Sequence, residues 1–289
     1  MIESAVFRAH RYRSSCGRLD LYARVYESDG PALLLMHGLT RNSSDFESLA
    51  AHLAGRYRLV VPDVRGRGLS DYDSDPSQYR PDVYSGDMFT LLDGLGIEQA
   101  GLIGTSMGGL MAMVMAATQP ARVPAMVLND VGPQVEPAGI ARIQSYVGPS
   151  GDAADWEDAA VRCAAINGTA FPDYDKADWL AFARRTWRES DGRLRLAYDP
   201  AIATGLTGGE QTAVPPDLWP LWHMLRATPT LVLRGAESDL LSAKTVDEMR
   251  RRHVGVFVSV EVQGRGHAPM LDEDDTTTAI DAFLLENLS

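Results

Sequence analysis

Short apolar runs recur through the first half of the chain, separated by longer stretches whose apolar residues return every third or fourth position. PALLLMHG (31–38), YRLVVPDV (57–64), AGLIG (100–104) and VPAMVLNDVG (123–132) are runs of the first kind and predict buried strands, whereas LDLYARVY (19–26) alternates as a half-exposed strand does. SSDFESLAAHLAG (43–55), YSGDMFTLLDGLG (84–96) and SMGGLMAMVMAA (106–117) carry helical spacing, the first with serine at its start. Buried strands separated by helices predict a mostly parallel sheet with helices on both faces.

The pattern stops near Gly132 and resumes at TPTLVLRG (228–235), followed by a helix in SAKTVDEMRRRH, a strand in VFVSVEVQG and a last helix from about Asp274 to Leu288. The interval 133–226 has no clean strand pattern, yet it holds all five tryptophans (Trp156, Trp179, Trp187, Trp219, Trp222) together with Tyr146, Phe171, Tyr174, Phe182 and Tyr198. We read it as a helical cap inserted after the sixth strand, on a core made of 1–132 and 227–289. Its rings either face a pocket beneath the cap or form the cap's own small core.

Composition narrows the class. With 289 residues, 45% of them hydrophobic, the chain is long enough for one large domain or for one domain carrying an insertion. A formal net charge of −12 argues against nucleic acid or an anionic membrane as partner, and Arg250, Arg251 and Arg252 read as the solvated, dipole-favoured end of a helix. Cys16 and Cys163 lie far apart with no CxxC, which signals neither disulfide nor zinc and fits a reducing cytoplasm. MIESAVFRAHRYRSS lacks the apolar centre of a secretory signal, and LMAMVMAA (110–117) is too short to cross a bilayer, so a soluble, cytoplasmic protein is expected. With no GxxxxGK[ST] and no complete GxGxxG after a strand, no nucleotide cofactor is indicated; neither a cofactor nor a metal is expected.

The chemistry gathers around GTSMGG (104–109), where Ser106 stands between Gly104 and Gly108 at a strand-to-helix junction. Small residues two before and two after a serine allow a tight turn that larger ones would obstruct. A serine hydroxyl needs a base, and the base needs a carboxylate to hold its tautomer. Loops after parallel strands converge on one sheet edge. His267, in GRGHAPML after the last predicted strand, is the candidate base; His10 lies on an N-terminal strand, His52 and His253 within helices read as structural or solvated, and His223 borders the cap, where a surface place is favoured over one lining the pocket. For the carboxylate, Asp239 in LVLRGAESDLLS is favoured because its loop gives it reach, Asp130 directly after the sixth strand is the rival, and Glu237 is an outside candidate. The backbone N–H groups of Met107, at the start of the elbow helix, and Leu39, in HGLTRNSS, are the expected oxyanion donors, with Gly38 permitting a tight turn and His37 bracing the loop.

The elbow at 104–108, the HG pair at 37–38, DVRGRGLSD (63–71), LRGAESD (233–239) and GRGHAP (264–269) together resemble a cap-bearing, esterase-like α/β-hydrolase in order and spacing, from about residue 20 to the C-terminus, with 133–226 matching only as a variable cap. The resemblance implies a mostly parallel eight-stranded sheet, with Ser106, Asp239 and His267 as nucleophile, acid and base, and Arg65 to Ser70 as a structural turn. Dehalogenase and epoxide hydrolase relatives have aspartate at the position of Ser106, which disfavours those activities; Leu39 after the HG pair argues against a perhydrolase. The expected function is hydrolysis of a carboxylic ester or lactone of a small apolar or aromatic molecule. Hydrolysis of a carbon–carbon bond in a vinylogous diketone, or non-catalytic binding of a small molecule on the same fold, are the alternatives. An exposed apolar face of the cap would support a homodimer.

Overall fold

The computed structural model describes residues 5–207 and 217–288; the stretch 208–216 of the expected insert therefore lies outside the described residues. The strands are β1 (Arg8–Arg13), β2 (Asp20–Tyr26), β3 (Ala32–Met36), β4 (Arg58–Asp63), β5 (Gly101–Thr105), β6 (Met126–Asn129), β7 (Trp187–Ser190), β8 (Arg193–Leu196), β9 (Thr230–Gly235) and β10 (Phe257–Val262). The helices are α1 (Glu47–Leu53), α2 (Pro81–Gly94), α3 (Met107–Thr118), α4 (Pro137–Tyr146), α5 (Trp156–Asn167), α6 (Lys176–Thr186), the single turn α7 (Thr204–Thr207), α8 (Trp219–Leu225), α9 (Ala243–Arg252) and α10 (Asp274–Asn287).

Eight strands form one sheet in the order β1-β2-β4-β3-β5-β6-β9-β10. The pairings β1–β2 and β2–β4 are antiparallel, and every other pairing in that sheet is parallel. The central strands β3, β5 and β6 are buried almost throughout, as their unbroken apolar runs require, because each is covered on both faces. One face packs Met88, Leu92, Met111, Met115, Trp222 and Met249 from α2, α3, α8 and α9; the other packs Leu49, Leu53, Ile280, Phe283 and Leu284 from α1 and α10.

α8 packs against α3 on one face of the sheet, and the chain from β6 to Thr207 leaves the sheet and lies across the carboxyl ends of its strands. Backbone bonds tie it down: Gly68 N–H to Ala197 O (2.8 Å), Asp199 N–H to Gly66 O (2.8 Å) and Gly266 N–H to Ala170 O (2.9 Å). This segment is helical, as expected, with one difference. β7 and β8 pair as an antiparallel hairpin closed by Asp191 and Gly192, both with positive φ (53° and 69°), the backbone of a type I′ turn. Of the expected 43–55 helix, Ser43–Phe46 forms a 3₁₀ turn and α1 the remainder. Among the described residues no helix is long and apolar enough to cross a membrane.

Candidate active site

Ser106 links β5 to α3 in a left-handed conformation (φ 52°, ψ −113°), an unusual backbone for a residue with a side chain. The turn is possible because its neighbours are bare. A Cβ at Gly104 would overlap the Gly108 carbonyl, and one at Gly108 would overlap the Met36 carbonyl on β3. Gly38 differs from expectation: its φ is not positive, and a Cβ there would stand 3.8 Å from Ser106 Cβ, in ordinary contact. The expected turn does form, with Arg41 N–H donating to Gly38 O (3.2 Å), but it needs no glycine-specific φ, so glycine at 38 chiefly leaves space beside the serine.

His267 follows β10 and places Nε2 2.9 Å from Ser106 Oγ. Its Nδ1 lies 2.8 Å from Oδ2 of Asp130. A carboxylate only accepts, so the proton sits on Nδ1 and Nε2 is left to accept from the serine hydroxyl. Asp130 is fully buried and is itself held by Gly235 N–H on Oδ1 (2.9 Å) and the Ser238 hydroxyl on Oδ2 (2.6 Å).

The expectation that Asp239 is the residue facing His267 is therefore corrected. Asp239 instead receives Arg142 of α4 bidentately, Nε to Oδ2 at 2.5 Å and Nη2 to Oδ1 at 2.9 Å, and that hydrogen-bonded guanidinium holds its carboxyl below the usual carboxylate range. The end of β9 and the loop after it do reach the site, through the Gly235 amide and the Ser238 hydroxyl respectively, while Asp130 arrives directly from the end of β6. Glu237 is exposed. Ser238 was not singled out from sequence; its place one residue before Asp239 in the same loop was the available signal.

At the start of α3 the Met107 N–H has no carbonyl a turn earlier to bond, and the Leu39 N–H makes no hydrogen bond among the described residues. One fully buried side chain connects the two positions. Arg67 donates from Nε to Leu39 O (2.9 Å), from Nη1 to Arg65 O (2.7 Å) and Tyr84 Oη (3.0 Å), and from Nη2 to Met107 Sδ (3.5 Å). Sequence reading assigned Arg67 only to a structural turn. Arg65 beside it fits that description, being locked to Asp87 and Asp73 in a buried network.

His37 braces the same loop. Val64 N–H donates to its Nε2 (3.0 Å), so Nδ1–H donates to Gly38 O (2.7 Å), and burial lowers its pKa to about 4, which keeps the ring neutral. Arg67 fixes both the Leu39 carbonyl and the Met107 side chain, and with Leu39 and Met107 as the oxyanion donors expected from sequence, Arg67→Met is expected to lower kcat about 10²-fold, the scale of one misplaced donor, with KM changed much less. Steady-state kinetics check this, and an unaltered kcat would refute the bracing role.

Two cavities meet at Ser106. The larger, about 310 Å³, lies under the insert and is lined by Arg41, Tyr146, Phe182, Trp187, Tyr198 and His267 among others. The smaller, about 60 Å³, is apolar and bounded by Leu39, Tyr84, Met107, Leu110, Val131 and Ile143. Both uses expected for the insert's aromatics therefore occur. Phe171, Tyr174 and Trp179 pack on one another in the insert's own core, and Trp222 is buried against His253 and Phe257.

Fold and site together define a class: a parallel sheet whose strand ends bring a serine on an elbow, a histidine and a carboxylate to one edge. The family model for the alpha/beta hydrolase fold matches residues 31–274, and the chain belongs to that family. It is 38% identical over 245 residues to the 3-hydroxybutyrate-oligomer hydrolase of Cupriavidus necator, covering 82% of each chain. It is 30% identical over 256 residues to the 2-(acetamidomethylene)succinate hydrolase of Mesorhizobium japonicum, covering 88% of this chain and 87% of that one. Among solved structures it resembles an alpha/beta hydrolase from Novosphingobium aromaticivorans at 43% identity with a TM-score of 0.90, covering 98% of this chain and 99% of the other.

Proposed function

We propose that this hydrolase cleaves carboxylic esters through an acyl-enzyme on Ser106. The observation that carries the reading is the chain of contacts from Asp130 to His267 (2.8 Å) and from His267 to Ser106 (2.9 Å). Ser106 Oγ adds to the ester carbonyl while His267 Nε2 takes its proton, and Asp130 holds the imidazolium. Leu39 and Met107 N–H groups receive the oxyanion. The intermediate then expels the alkoxide, which takes the proton from Nε2, and water repeats the sequence to release the acid. Residues 133–207 act as the cap over a core of 1–132 and 227–289, whereas α8, within the expected cap of 133–226, packs on the face of that core.

Proton delivery orients the substrate. The leaving oxygen must reach His267, which lines the larger cavity and not the smaller, so the alcohol part occupies the 310 Å³ space and the acyl chain the 60 Å³ one. A cavity of about 150 Å³ holds benzene, so the acyl compartment takes roughly two or three carbons beyond the carbonyl. Similarity to a 3-hydroxybutyrate-oligomer hydrolase supports an ester with a short acyl group. Similarity to 2-(acetamidomethylene)succinate hydrolase supports a second reading, in which the bond cleaved is not an ester.

A panel of p-nitrophenyl esters from acetate to octanoate, with 2-(acetamidomethylene)succinate beside them, tests both readings. We expect acetate and butyrate to exceed octanoate at least tenfold in kcat/KM. Turnover of the acetamido compound alone would replace the ester reading with the second one. A preference for octanoate would overturn the assignment of the cavities.

A further inference from the structure

Arg41 lies two residues beyond Leu39 and lines the larger cavity but not the smaller one. Its guanidinium lies over the Phe182 ring at 4.2 Å, and its side chain is only 14% exposed. Nη1 donates to Asp45 Oδ1 at 2.6 Å and approaches Met270 Sδ at 3.9 Å. Nε and Nη2 make no hydrogen bond among the described residues.

That edge is the one by which arginines of this chain grip carboxylates. Arg65 holds Asp87 through Nε and Nη2, both at 2.8 Å, and Arg142 holds Asp239 in the same way. The other arginine lining the cavity, Arg162, already spends its Nε and Nη2 on Asp158 and its Nη1 on Gly151 O. Arg41 thus combines a fixed orientation, set by Phe182 and Asp45, with a free bidentate edge in a sheltered cavity. A planar fork of this kind matches a carboxylate in geometry and charge.

We propose that Arg41 receives a carboxylate carried by the alcohol part of the substrate, so that the substrates are esters whose leaving group is a hydroxycarboxylate. The inference rests on the ester reading above and on the larger cavity as the leaving-group side. It revises the expectation of an apolar or aromatic substrate. The chain's net charge of −12 opposes anions at long range, whereas Arg41 acts locally at the end of the approach. Asp45 neutralises the pair's net charge but leaves the Nε and Nη2 donors in place.

The test compares two substrates with the same scissile bond: O-butyryl-3-hydroxybutyrate as the free acid and as its methyl ester. The native protein is expected to favour the acid at least tenfold in kcat/KM, mostly through KM. Arg41→Met should bring that ratio to about one, and Arg41→Lys should keep part of it, because a point charge remains without the fork. A native preference for the methyl ester, or a native ratio retained in Arg41→Met, overturns the proposal. If Arg41→Met does not fold, the native protein decides: 3-hydroxybutyrate should inhibit competitively with a Ki at least tenfold below that of its primary amide, and equal Ki values overturn it. Hydrolysis of the methyl ester without preference for the acid removes only the role of Arg41. Hydrolysis of neither compound nor of any p-nitrophenyl ester removes the ester reading and this proposal with it.

Discussion

Ser106→Ala is expected to reduce kcat on short-chain esters about 10⁶-fold, and His267→Ala nearly as much. The two losses should not multiply in the double variant, because the hydroxyl and the imidazole act as one unit across their 2.9 Å contact. A fluorophosphonate should add once to the native protein, at the peptide containing Ser106, and not at all to Ser106→Ala. Intact mass and peptide mapping read this directly. The folded state should tolerate the change, because alanine meets the same left-handed backbone that serine already occupies and, among the described residues, the hydroxyl bonds only to His267. A native-like melting temperature therefore separates lost chemistry from lost structure. Labelling at another residue, or an alanine variant with native turnover, would end the case for Ser106 as nucleophile.

The parts of this site that were legible in the sequence are those enforced by backbone packing. Gly104 and Gly108 flank Ser106 because carbonyls of Gly108 and Met36 occupy the space a side chain would need, and such exclusion leaves a mark in residue identity. His267 was legible because one loop after the last strand carried one histidine. The carboxylate was not, since Asp130 and Asp239 both follow strands that end on the same edge, and what separates them is Arg142, 97 positions before Asp239, on a helix of the insert. Arg67 was hidden for a related reason. An arginine in a polar loop reads as solvated, and only the packing of the insert and of Tyr84 reveals it as fully buried. The β7–β8 hairpin did leave a signal, the Asp191–Gly192 pair, but the flanking residues alternate weakly, with Trp187 and Leu194 the buried positions, so the pattern alone did not announce strands.

Asp130→Asn should lower kcat about 10⁴-fold, while Asp239→Asn stays within a few-fold of native. The asymmetry follows from the groups that fix the Asp130 carboxylate. Oδ1 accepts the Gly235 backbone N–H, a donor that cannot turn away, so an asparagine must set its carbonyl oxygen there and its amide nitrogen at the Oδ2 position. That nitrogen then donates toward His267 Nδ1, which must accept, and the ring proton moves to Nε2, where it blocks acceptance from Ser106. The fold survives because the amide has the same shape. At Asp239 the change weakens a partly exposed pair with Arg142, worth about 1 kcal/mol or less, and leaves the His267 tautomer untouched. Parallel kcat measurements on the two variants at one pH decide between them. The reverse ordering, with Asp239→Asn the severe loss, would mean that the loop after β9 carries the acid during turnover and that the 2.8 Å contact to Asp130 belongs to a resting arrangement.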